Sequence, residues 1–128
     1  MMYAARSRPT AGNFELWAWL FMRISGIALL LLVLIHFAIM HLFTPLSDVT
    51  FDFVAARFST PFWRIYDLVL LALALVHGMN GVRVVADDYI HSRGWRLVTA
   101  TTLWTITFIF MVIGAQIILS FQPSVGTG

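Results

Sequence analysis

The sequence predicts an all-α membrane protein with three spanning helices, and three observations carry that expectation. Apolar residues make up 60% of the chain and charged residues 11%, where soluble domains carry about 25% charged residues. The mean hydropathy is +0.87. The apolar residues also gather into three runs, each reaching the roughly 20 residues that cross a hydrocarbon core about 30 Å thick. Lipid offers the backbone no hydrogen bonds, so three such runs imply three helices and not an open sheet. The 128 residues hold one domain, 1–128, with helices expected at about 16–43, 63–88 and 97–121.

The first fifteen residues, MMYAARSRPTAGNFE, are polar. No small-residue cleavage site follows a brief apolar core, so no signal peptide is expected. The first run extends from Leu16 to Phe43 with Arg23 as its only charge, and Thr44-Pro45 ends it. Between Pro45 and Pro61 the chain mixes Asp48, Asp52 and Arg57 with Phe and Val, leaving room for a short surface helix. Ser59-Thr60-Pro61 opens the second run, with proline near the first helical position, where its missing N–H costs nothing. That run, Trp63 to Ala86, is interrupted by Arg64, Asp67, His77 and Arg83. Arg64 and Asp67 have the spacing of a helical ion pair. Ser92-Arg93-Gly94 makes the turn before the uncharged third run, Leu97 to Phe121, and Pro123 with two glycines marks a frayed end.

Charge sets the orientation. All eight basic residues are Arg. Arg6, Arg8, Arg23, Arg83, Arg93 and Arg96 fall on the side of the N-terminus, and Arg57 and Arg64 on the other. The excess puts the N-terminus in the cytoplasm. Trp17, Trp19, Trp63 and Trp95 lie near run ends, as an interfacial belt requires. The net charge of +2, without a basic stripe, excludes a nucleic-acid partner from the expectation. There is no Cys, so the chain brings no disulfide, thiolate zinc site or iron–sulfur ligand of its own. Three helices without an internal repeat or a broken-helix pair do not suggest a transporter.

The chemistry concentrates in HGMNGVRVVADDY, His77 to Tyr89. Eleven residues turn a helix by about 1100°, so His77 and Asp88 share a face about 16 Å apart along the axis. Gly78 and Gly81 beside the ring let a flat ligand or another helix approach. A mid-membrane imidazole in that setting suits axial ligation of haem. The bland alternative is an interhelical hydrogen bond. Arg83 and Arg23 lie nearer the cytoplasmic side, where a guanidinium clamps haem propionates. Taken alone, Asp87-Asp88 is a solvated helix end and Tyr89 an interfacial anchor.

The H-x10-D-Y pattern of His77, Asp88 and Tyr89 resembles the D-type hydrophobic membrane anchor of bacterial succinate dehydrogenases and fumarate reductases (complex II). Arg23-Ile24-Ser25-Gly26 resembles the R-x-[ST]-[GA] that opens the first helix in that family. The likeness covers roughly residues 14–121. It implies a helical bundle made with a second, C-type anchor subunit, beneath an iron–sulfur subunit and a flavoprotein subunit in the bacterial plasma membrane. It implies a haem b between the anchors with His77 as one axial iron ligand. It implies a site for quinone, menaquinone or ubiquinone, with Tyr89 donating to a quinone oxygen and Asp88 beside it on a proton route. Arg23 then matches a position near propionates and quinone, Arg83 a propionate partner, and Ser25 a quinone-pocket position. Electrons would pass from the iron–sulfur subunit to quinone in the respiratory chain, with succinate oxidised in another subunit.

Other readings remain open at this level. His36 is thirteen residues from Arg23, about 20 Å along the helix, near the depth expected for His77. An intrachain His36–His77 pair would make a small cytochrome-b-like protein. Without redox ligands the chain would be a structural assembly subunit. His41 is expected at the outer interface and His91 in a loop near headgroups. H-x3-G-[IV]-R, read from His77 to Arg83, resembles the C-type anchor equally well, whereas Asp88-Tyr89 favours D-type.

Overall fold

The computed structural model describes residues 13–121, with side chains from Leu16 onward. The polar start with Arg6 and Arg8, and the tail containing Pro123, lie outside the described residues. The chain forms α1 (Asn13–Phe37), α2 (Phe51–Ser59), α3 (Pro61–Tyr89) and α4 (Arg93–Ser120), with no strand among the described residues. Three helical stretches have the length and apolarity to cross a membrane, Leu16–Leu42, Pro61–Tyr89 and Arg93–Ser120. At 1.5 Å per residue each is about 40 Å long, so its ends reach past the hydrocarbon layer.

Residue pairing shows how the helices run. Ser25 on α1 meets His77 on α3, and Leu32 meets Tyr66. Leu71 on α3 faces Gly114 on α4, and Arg64 reaches Leu119. Both neighbours are therefore antiparallel to α3, which is the middle helix. A Cβ built on Gly114 would stand 2.5 Å from a Leu71 methyl, so glycine permits the close α3–α4 approach. Few side chains are buried, and Met79 and Ile118 are among them. Most apolar side chains point outward, as they must where lipid or partner helices supply the other half of the packing.

The helix ends are tied by specific groups. Thr50 Oγ1 accepts from Phe53 N at the start of α2, and Ser92 Oγ accepts from Trp95 N at the start of α4. Pro61 occupies the first turn of α3. The guanidinium of Arg96 donates to the Asp87 and Ile90 carbonyls at the end of α3. Arg64 does the same at the end of α4, donating to Leu119 O and Phe121 O. Both place a cation at the negative end of a helix dipole.

Two boundaries differ from the sequence reading, and the expected short surface helix forms. The α-helical part of α1 stops at Phe37 and continues as a π turn, Ala38–Leu42. The fourth helix begins at Arg93 because the Ser92 cap lets the polar residues Arg93 to Arg96 form its first turn. The short surface helix is α2, Phe51–Ser59. The expected Arg64–Asp67 pair does not form: Arg64 is spent on the Phe58 carbonyl and the end of α4, and Asp67 takes Arg57 instead at 2.8 Å.

Candidate functional site

His77 lies midway along the bundle, where α1 and α3 touch. Its Nδ1 shares a 2.7 Å hydrogen bond with Ser25 Oγ. Ser25 is only 2% exposed, so its hydroxyl needs a protein partner, and the imidazole is that partner. The ring also lies close to Gly26, where a Cβ would come within 3.4 Å of its Cε1. Among the described residues, no hydrogen-bond partner occupies the other ring nitrogen, Nε2. The R-x-S-G and H-x10-D-Y segments are thus in direct contact, with Ser25 facing His77. Tyr89 is twelve residues further along α3, about 18 Å by helix rise, so Ser25 stands at the level of the imidazole and not at that of the tyrosine.

One turn from His77 towards Tyr89, a cleft of about 360 Å³ opens between α1 and α3. Trp19, Met22, Asn80, Gly81 and Arg83 are among its lining residues. Arg23 stands over the Trp19 ring at 4.4 Å, and Arg83 Nε donates to Asn80 Oδ1 at 3.2 Å. Both arginines therefore gather beside the cleft, Arg23 over Trp19 and Arg83 between Asn80 and Asp87. A second cleft, about 230 Å³, continues towards α4 and is lined by Trp17, Phe21, Met79, Asn80 and Trp104 among others.

The paired aspartates divide their roles. Asp87 is 4.0 Å from both Arg83 and Arg96 and holds the end of the bundle together. Asp88 has no ion pair among the described residues and is exposed, as is Tyr89, at 80%. Their functional groups are thus presented outward at one end of the bundle.

His36 belongs to a different level. Its Nδ1 is 3.6 Å from Asp67 Oδ1, and Asp67 precedes His77 by ten residues, about 15 Å along α3. Counting on α1 gives the same answer, because His36 is eleven residues beyond Ser25. The structure does not bring His36 and His77 together. His41 stacks on Phe37 with ring centroids 4.9 Å apart, and His91 is exposed after α3. Among the described residues, no three His, Asp or Glu side chains form a metal-ligand group. Haem ligation asks only for an imidazole nitrogen, and His77 could offer Nε2, which has no hydrogen-bond partner among the described residues, while Nδ1 is engaged. Asn80 and Trp104 were missed from sequence. Asn80 could have been found as a polar residue one turn from His77, whereas Trp104 gave no signal in a uniformly apolar run.

A family model described as the succinate dehydrogenase/fumarate reductase transmembrane subunit matches residues 5–121. The chain belongs to that family. It is also 29% identical over 102 residues to the succinate dehydrogenase 2 membrane subunit SdhC of Mycobacterium tuberculosis, a match covering 80% of this chain and 73% of that protein. This is a multi-pass membrane-anchor subunit of succinate dehydrogenase type.

Proposed function

We propose that this anchor subunit supplies one axial ligand, His77, to a haem b and forms part of the quinone site of a succinate:quinone oxidoreductase. The observation that carries the reading is the held imidazole in mid-bundle, tied through Nδ1 to Ser25 with Nε2 unpartnered. The second axial nitrogen would come from a partner anchor, since His36 stands at another level. Bound there, haem b would supply a one-electron relay. Arg23 and Arg83, beside the cleft one turn away, have the fixed charge that propionates need.

At the exposed end, Tyr89 offers an O–H donor to a quinone oxygen. A quinone gaining two electrons builds negative charge on its oxygens, and a positioned donor stabilises that charge. Asp88, free of ion pairs among the described residues, carries protons between water and the quinone. Asp87 is tied to arginines and is the poorer carrier. The flavin and iron–sulfur chemistry belongs to partner subunits, because this chain has neither a dinucleotide-binding motif nor Cys. The arginine distribution orients the N-terminus and Tyr89 towards the cytoplasm of a bacterial cell, where those subunits would dock.

The test is the purified complex with single substitutions. His77→Ala is expected to abolish the low-spin b-haem spectrum while the complex assembles. Tyr89→Phe is expected to keep the haem and slow quinone reduction about tenfold or more. Wild-type haem content and quinone turnover in both variants would overturn the proposal. The Asp88-Tyr89 pair supports a D-type anchor. Slowed turnover confined to His77→Ala would instead fit a C-type anchor.

A further inference from the structure

We propose that Ser25 and Gly26 form a seat that fixes the orientation of the His77 ring, with Nδ1 held against the serine and Nε2 available to iron. The inference rests on the reading of His77 as a haem ligand. Ser25 lies 52 residues from its imidazole partner in sequence and 2.7 Å from it in space. It is 2% exposed, so water does not compete for that bond. With Nε2 given to a ligand the ring proton sits on Nδ1, and Ser25 Oγ, 2.7 Å away, is the acceptor that faces it. Ligating histidines ordinarily donate their second N–H in this way, which sets the ring's orientation and raises its basicity.

Gly26 completes the seat by shape. A Cβ there would come within 3.4 Å of His77 Cε1, so a larger residue would push on the same ring edge that the serine holds. The neighbouring serine and glycine thus act on adjacent atoms of one imidazole, the first by hydrogen bond and the second by clearance. This gives Ser25 a positioning role at the haem level and leaves the quinone level to Tyr89 and Asp88.

The test uses the assembled complex carrying Ser25→Ala, Ser25→Thr, Gly26→Ala or His77→Ala. Haem content, the midpoint potential of the haem and its ferric electron paramagnetic resonance spectrum are read for each. Ser25→Ala is expected to weaken haem retention about tenfold and to raise the midpoint potential of the haem that remains, because a less basic imidazole favours the ferric state less. Ser25→Thr, which keeps the hydroxyl, is expected to return the potential towards wild type. Gly26→Ala should alter the ferric spectrum through a rotated ring while retaining the hydroxyl. Loss of haem in His77→Ala with wild-type retention, potential and spectrum in Ser25→Ala would overturn the seat and leave the ligand reading standing. Haem retained with an unchanged spectrum in His77→Ala would overturn the ligand reading, and the seat with it.

Discussion

Two polar levels interrupt the apolar bundle about 15 Å apart, and they are built differently. At the Asp67 level a charged pair, Arg57 and Asp67, dominates, while His36 Nδ1 and Arg57 Nε are left without a hydrogen-bond partner among the described residues. Arg57 donates to Asp67 at 2.8 Å and to Met40 Sδ at 3.2 Å, and lies 4.6 Å from the Trp63 ring centre. This knot ties the short helix α2 to the spans α1 and α3. At the His77 level there is one neutral hydrogen bond, one ring nitrogen left over, and a cleft beginning a turn away. Charges in a membrane are tolerated when they neutralise each other, and they then serve as architecture.

Breaking the knot gives the largest expected change in stability. Asp67→Ala leaves Arg57, 8% exposed, without its counter-charge, and removing one partner of a buried pair costs about 3 to 5 kcal/mol. Thermal unfolding of the detergent-solubilised complex should show the loss, with haem still bound in whatever remains folded. Replacing both residues by leucine should recover most of the stability. A selective loss of haem without loss of stability in Asp67→Ala would erase the distinction between the two levels. Next is Gly114→Val, which forces side-chain bulk onto Leu71 and is expected to cost about 1 to 3 kcal/mol by overpacking. The combined Gly114→Val and Leu71→Ala variant should recover part of it in the same melt. The smallest effect is Ser92→Ala at the α4 cap, about 1 kcal/mol, with no change in the haem spectrum. A spectral change there would mean that the His77 level depends on distant helix ends.

The three spans were legible because hydrocarbon thickness leaves few alternatives for an apolar run of that length. Their ends were less so. Hydropathy ignored Arg93 to Arg96, although Ser92 starts the helix before them. The Arg57–Asp67 pair was hidden because it depends on α2 folding back against α3, whereas spacing along one helix offered Arg64. His77 stood out as an ionisable group in an apolar run, and Ser25 came to notice only through a motif. Their contact could not be counted from either helix alone, since it depends on antiparallel register. The same register separates His36 from His77, a gap that depth measured from Arg23 did not reveal.

The register also has a consequence for biogenesis. The first span leaves the ribosome long before its partners exist. Ser25 awaits His77, and Leu32 awaits Tyr66, whereas α3 and α4 are sequence neighbours tied at both ends by Arg64 and Arg96. Non-local contacts form late because the intervening chain must first be synthesised and closed up. Sequence separation therefore favours pairing of α3 with α4 before α1 docks onto them. The imidazole has its Ser25 partner only once α1 and α3 are both present, so the haem proposed at His77 would find its ligand oriented only after the first two long spans have met.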